Sequence, residues 1–158
     1  MIHSIPIVFD MLKIISKICP WLLRRYYTSE RLDPLIKLDV SSSGERVNYN
    51  FHSQEGSCWL TATNLSPFDF TIDRMEVDVV IDSGASFSCT KIMPEVLKGT
   101  GNQQIYVKST SSMLAETAQR AKDSKRARIE IQAFIVSSIR SFTIRRSIAD
   151  VSNVRVLA

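Results

Sequence analysis

The side chains able to do covalent or acid–base chemistry are few in this chain, and they are scattered. His3 and His52 are the two histidines, and Cys19, Cys58 and Cys89 the three cysteines. A serine or cysteine nucleophile needs a base beside it, most often histidine. His52 follows Phe51 in a stretch expected to be a loop, with no acid at a telling spacing, so it reads as a surface group. Three thiols this far apart supply neither the clustered ligands of a zinc site nor the even pairing of a disulfide framework. Glu76, Asp78 and Asp82 share one face of an alternating stretch and could gather a cation through oxygen, but the same spacing is that of a solvated face. Gly99-Thr100-Gly101 lacks the lysine and the following helix of a phosphate loop. The residues therefore offer no catalytic set, no metal site and no cofactor site.

Charge is the remaining candidate. Arg120, Lys122, Lys125, Arg126 and Arg128 form the densest basic cluster, where a helix is expected to end and a strand to begin. Cations suit a helix C-terminus for electrostatic reasons; the functional alternative is contact with an anion such as RNA, DNA or lipid phosphate, which Arg140, Arg145 and Arg146 could extend. No aromatic side chains interleave with the cluster, which weakens a single-strand nucleic-acid reading. The net charge of +4 is uneven: Met1–Arg25 carries +3, Tyr26–Pro94 −5 and Glu95–Ala158 +6. Such an asymmetry suits an anionic partner, attraction between two halves of one fold, or self-association.

The elements that must position these groups fall into two parts: residues 1–27, an apolar helical segment, and residues 28–158, a single β-rich domain. In the first, Asp10, Lys13 and Lys17 interrupt an otherwise apolar run at helical spacing. The pattern predicts a helix from about Ile7 to Ile18 with a very wide apolar arc, Pro6 in its first turn and Pro20 ending or kinking it near Cys19. Three charges within the run oppose a clean membrane span. The missing basic n-region and cleavage site oppose a secretory signal. A helix lying at an interface, or docked on protein, fits better. Ile5, Val8, Phe9, Leu12, Ile15, Trp21 and Leu22 supply the apolar contact, with Arg24 and Arg25 beside Tyr26 and Tyr27 suited to a headgroup layer.

The second part, with 44% hydrophobic residues over the whole chain, reads as strands. Leu35, Ile36, Leu38 and Val40 make the first, after polar residues 28–33; Val47, Tyr49 and Phe51 alternate in the second, and Ser57–Thr63 forms a third with Trp59 facing away from Cys58, Leu60 and Ala62. In the longest, apolar residues at Phe68, Phe70 and Ile72 switch parity to Met75, Val77, Val79 and Ile81. One extra residue near Asp73 and Arg74 would keep the buried face inward, so a β-bulge is expected there. Strands follow over Ala85–Ile92, Gln104–Ser109, a run containing Ala127, Ile129 and Ile131, and Ile139–Arg146. Between the second and third of these, residues 112–122 form a short helix capped by Ser111 or Ser112, with Leu114, Ala118 and Ala121 inward. Cys58 and Cys89 fall on core-facing parities, and a bridge between them stays open. The expected fold is all-β: an immunoglobulin- or fibronectin-like antiparallel sandwich of about seven strands with one short crossover helix.

Asn64-Leu65-Ser66-Pro67-Phe68 feeding the bent strand, the Asp82-Ser83-Gly84 turn, the glycine-containing link before Gln104, the late helix and the two closing strands resemble the late embryogenesis abundant group 2 domain, also called the water-stress and hypersensitive-response domain. The resemblance covers roughly Leu35–Arg146. That family's hallmark turn is Asn-Pro-Asn-Pro-Phe-like; here Leu65 and Ser66 stand in its second and third places. It implies a domain commonly tethered beside a membrane and linked to stress protection, membrane-proximal signalling or lipid contact, without a catalytic residue set. It implies architectural roles for Asn64 closing the turn, Pro67 fixing φ and Phe68 anchoring the strand. The expected protein is thus a membrane-associated, non-enzymatic β-sandwich with its domain on the cytoplasmic side, contacting lipid or a protein partner. The alternative is an assembly subunit whose helix docks on other chains, and nucleic acid ranks last among the partners.

Overall fold

The computed structural model describes residues 11–12, 14–15, 17–42, 46–92 and 94–157. Residues 11, 12, 14, 15, 17 and 18 are helical. Two short helices, α1 (Pro20–Tyr26) and α2 (Ser29–Leu32), and a 3-10 turn over Asp33–Leu35 lead into β1 (Ile36–Val40). Then come β2 (Val47–Asn50), β3 (Glu55–Asn64), β4 (Phe70–Ile81), β5 (Ser86–Lys91), β6 (Glu95–Leu97) and β7 (Asn102–Thr110). Helix α3 (Ala115–Ala121) precedes β8 (Arg126–Val136), β9 (Phe142–Ser152) and β10 (Val154–Leu157).

The strands form two five-stranded sheets, and the fold is an all-β sandwich. In the first, β3 lies between β7 on one side and, on the other, β1 beside its C-terminal half and β2 beside its N-terminal half. Strand β10 closes the outer edge by running parallel to β2. In the second, β4 is flanked by β5 and β6 on one side and by β8, then β9, on the other. Alternation puts Cys58, Leu60, Ala62, Ile105 and Val107 of one sheet, and Val77, Val79, Ile81, Ile129, Ile131 and Ile144 of the other, into one buried core. Each Leu, Ile or Val among them contributes roughly 1.5–3 kcal/mol on burial.

The parity switch in β4 is a bulge. Ile72 pairs with Ile135 and Arg74 with Phe134, so Asp73 has no partner and Phe70, Ile72, Met75 and Val77 all stay buried. A second irregularity lies between β8 and β9, where Ala127 faces Val151 and Ile129 faces Ile148. Asp150 takes up the slack with a φ of 55°, a conformation Asp tolerates better than most residues.

The turn into β4 is closed by Asn64, which is wholly buried. Its Nδ2 donates to the carbonyls of Phe68 (2.6 Å), Lys98 (3.1 Å) and Leu97 (3.3 Å), while Oδ1 accepts from the Ser66 amide (2.9 Å) and hydroxyl (2.7 Å). Pro67 and Phe68 are buried beside it. Gly99 is required here, since a Cβ at that position would stand 2.5 Å from the Pro67 carbonyl oxygen.

Several expectations need correction. There are ten strands among the described residues and one parallel pairing, because the short β6 and β10 carry too little alternation to stand out. Pro20 opens a further helix instead of only ending one, since its fixed φ suits the first helical turn. Polar residues 28–33 hold α2 and part of the 3-10 turn, and the last hairpin's strand starts at Phe142 and runs on to Ser152. Helix α3 is N-capped by Leu114 with no side-chain cap. Ser111 is committed elsewhere, its amide donating to Gln54 O (2.9 Å) and its carbonyl accepting from the Tyr49 hydroxyl (2.7 Å). Leu114 consequently points to solvent, and Met113 takes the buried place.

A candidate docking surface on the N-terminal helices

The helical residues before β1 present two apolar sides. Leu12 and Ile15 are half-buried against the sandwich, and Leu23 is buried in it. Met11, Ile14, Ile18, Trp21 and Leu22 face solvent, Ile18 at 72% and Trp21 at 69% exposure. Within residues 11–18 the two sets follow the 3.6-residue period, and Cys19, at φ −132° and ψ 60°, breaks it before α1. Five large apolar side chains on these two helical segments thus stay exposed, with the cations Lys17, Arg24 and Arg25 among their neighbours in sequence.

These segments are held in place by contacts from their other side. Arg24 donates from Nε to the Ile139 carbonyl (2.7 Å), and Arg140 returns a bond from Nη2 to the Arg24 carbonyl (3.1 Å). Tyr27 meets Phe68 edge to face at 5.0 Å between centroids, which ties the helices to the Asn64 turn, and its burial raises the phenol pKa. Arg31 lies over the Tyr26 ring at 4.6 Å. An open groove of about 480 Å³ runs beside the helices, lined by Lys17, Lys98, Asp69, Ser137 and Ser138 among others.

Of the docking residues expected from the sequence, Ile5, Val8 and Phe9 lie outside the described residues. Leu12 and Ile15 turn toward the sandwich, Trp21, Leu22 and Arg25 are exposed, and Arg24 is spent on Ile139. Met11, Ile14 and Ile18 complete the exposed side, which the wide apolar arc alone does not reveal, because it does not say which half of it the domain will cover.

The basic cluster is dispersed over paired charges. Arg120 lies 3.9 Å from Glu116, Arg126 3.5 Å from Asp150 and Arg128 2.6 Å from Glu130, all at exposed positions. Lys122 and Lys125 are exposed in the turn after α3. On the outer face of the second sheet, a cleft of about 400 Å³ is lined by Asp78, Glu130, Gln132, Arg145, Arg146 and Ser147, with Arg145 Nε donating to Gln132 (2.8 Å). His52 is exposed in the turn after β2, its amide donating to Asn50 Oδ1 (3.0 Å). Among the described residues no three His, Cys, Asp or Glu side chains converge on a common metal position. Cys58 and Cys89 are buried free thiols, each pushed up to about 12 by burial, which suits core residues rather than nucleophiles.

No protein-family model and no curated protein matches the chain. Likeness is found among solved structures. A structural-genomics target, SoR45, is 12% identical, with 77% of this chain and 89% of that one covered and a TM-score of 0.51. The shared property is the fold. A candidate late embryogenesis abundant protein solved in solution is 13% identical, covering 93% of this chain and 87% of its own at a TM-score of 0.48. A protein from Archaeoglobus fulgidus is 12% identical, covering 73% and 95%, with a TM-score of 0.40. Among the described residues no helix is long and apolar enough to cross a membrane.

Proposed function

We propose that this protein is a non-enzymatic β-sandwich that attaches to a membrane surface through its N-terminal helices and presents the sandwich to lipid or to a protein partner. The exposed side chains of Met11, Ile14, Ile18, Trp21 and Leu22 carry the reading, because soluble proteins rarely leave so many large apolar side chains exposed within a dozen residues unless they meet a partner surface. At roughly 1 kcal/mol each, the five supply about 5 kcal/mol on entering a bilayer interface. That is close to the affinity of a single acyl chain, a reversible anchor. Lys17 and Arg25 add about 1 kcal/mol each next to anionic lipid. The resemblance carried by Asn64, Pro67 and Phe68 to a family commonly tethered beside membranes supports the same direction.

Flotation of the purified protein with phosphatidylcholine–phosphatidylserine vesicles tests it. The wild type floats, and a variant carrying Ile14→Glu, Ile18→Glu and Trp21→Glu stays at the bottom of the gradient while keeping its thermal midpoint. Equal flotation of the two, or no flotation of either, overturns the reading. Should the wild type instead form a detergent-resistant oligomer that the triple variant abolishes, these side chains meet protein.

A further inference from the structure

The outer face of the first sheet carries a second exposed feature, independent of the helices. Trp59 on β3 and Tyr106 on β7 are directly opposite in register. Their ring centroids lie 4.7 Å apart with planes inclined at 40°. Trp59 is 40% and Tyr106 39% exposed. The Trp59 backbone is held in the sheet on its other edge: its amide donates to the Arg46 carbonyl (3.1 Å), and its carbonyl accepts from the Ser41 amide (2.9 Å). The Gln104 amide reaches toward the Ser41 hydroxyl at 3.5 Å. A cross-strand aromatic pair stabilises a sheet by up to about 1 kcal/mol wherever it sits, so the pair alone decides nothing.

The surroundings decide. Along the two strands the rings are flanked by Thr61 opposite Gln104 and by Ser57 opposite Lys108, three uncharged hydroxyl or amide groups and one cation. That cation is already taken: Lys108 Nζ lies 2.7 Å from Glu55 Oε1. Their hydrogen bond raises the lysine pKa and lowers that of the carboxylate. On the other side of β3, Arg46 stands beside Trp59 and Asp39 opposite Thr61, so acidic and basic groups alternate around the pair, whereas a nucleic-acid strand would need an unbroken track of cations to follow its phosphates. A sugar ring needs what is present, an aromatic surface for its C–H face and neutral donors and acceptors for the hydroxyls on its rim. We propose that Trp59 and Tyr106 form a stacking platform for a neutral carbohydrate chain, with Ser57, Thr61 and Gln104 meeting its hydroxyls.

Affinity electrophoresis of the full chain through gels containing hydroxyethyl cellulose, xylan or laminarin tests this. At least one of the three retards the wild type. Trp59→Ala and Tyr106→Ala each weaken that retardation at least tenfold, Trp59→Phe largely restores it, and Trp21→Ala leaves it unchanged. Thermal melting of each variant separates loss of binding from loss of fold. Should either alanine variant fail to fold, amide shift changes in the wild type on adding the retarding polysaccharide fall on residues 57–61 and 104–108. Retardation by none of the three, retardation that survives Trp59→Ala, shift changes centred elsewhere, or displacement of the polysaccharide by single-stranded poly(dT) each overturns the proposal.

Discussion

Arg146, on the edge strand of one sheet, brings both terminal nitrogens of its guanidinium to Asp33, in the turn that leads into the other. Nη1 reaches both carboxylate oxygens at 3.2 Å, and Nη2 donates to the Asp33 carbonyl at 2.9 Å and the Ile36 carbonyl at 3.2 Å. This one side chain spans the seam on that flank of the sandwich, from β9 to the turn that leads into β1. The fork geometry suits arginine, whose several donors are fixed in one plane.

Replacement of Arg146 by alanine should therefore cost about 1–2 kcal/mol, a figure kept small because both side chains are partly exposed and screened. Arg146→Lys should recover little of it, since an ammonium cannot reach carboxylate and carbonyls together. A double-mutant cycle with Asp33→Ala, read from urea midpoints, isolates the charged part. An interaction energy indistinguishable from zero would show that the carbonyl bonds alone hold the seam.

Asn64→Ala removes the donor shared by three carbonyls and the acceptor used twice by Ser66. With buried polar groups left unpaired, the expected loss is about 3 kcal/mol, near the top of the range for a single substitution. Asn64→Asp should be no better, because an acceptor then faces three acceptors. Chemical denaturation at constant m-value checks both.

Gly56 lies under the Phe87 ring, where an added Cβ would stand 2.4 Å from Cδ2. Gly56→Ala should destabilise by about 1–3 kcal/mol through overpacking. Shortening Phe87 to leucine in the same chain should return part of that loss, giving a favourable coupling between the two sites. Additive losses would mean that the ring is free to move aside.

Cys58 and Cys89 give the protein a defined alkaline limit. Both thiols are raised, mainly by burial, from an ordinary value near 9.0 to about 12. Below pH 9 folded and unfolded chains both keep these protons and stability is insensitive to them. Between pH 9 and 12 the unfolded thiols ionise while the folded ones do not, so the unfolded state binds fewer protons and stability falls by up to about 1.4 kcal/mol per unit for each thiol. Urea midpoints measured from pH 8 to 11 should decline, and less steeply in Cys58→Ala or Cys89→Ala. At pH 8 both thiols should resist an alkylating reagent until the chain is unfolded.

The sandwich was readable wherever a strand announces its buried face by strict alternation, as in the short β2 from Val47 and Tyr49. The parity change across Asp73 identified the bulge, and Asn64, Pro67 and Phe68 identified the turn, because both signals are local. What stayed hidden depended on residues far apart in the chain. Ser111 reads as a helix cap until Tyr49 and Gln54 claim its backbone. Trp59 and Tyr106 become neighbours only through a register that joins positions 47 residues apart. The candidate docking surface was half legible: an apolar helix was evident, but its exposed side depends on Leu12, Ile15 and Leu23 meeting the sandwich.

The pairing of β10 with β2 sets an order of events during synthesis. Val154–Leu157 joins a partner near residue 48, about a hundred residues earlier in the chain. Until residues 154–157 leave the ribosome, the edge of β2 away from β3 exposes a row of unsatisfied amides and carbonyls, the kind of edge that recruits foreign strands. Closure over so long a loop is slow. The nascent chain therefore passes through an aggregation-prone interval that closes only once residues 154–157 have emerged and paired, and a truncation before Val154 would make that interval permanent.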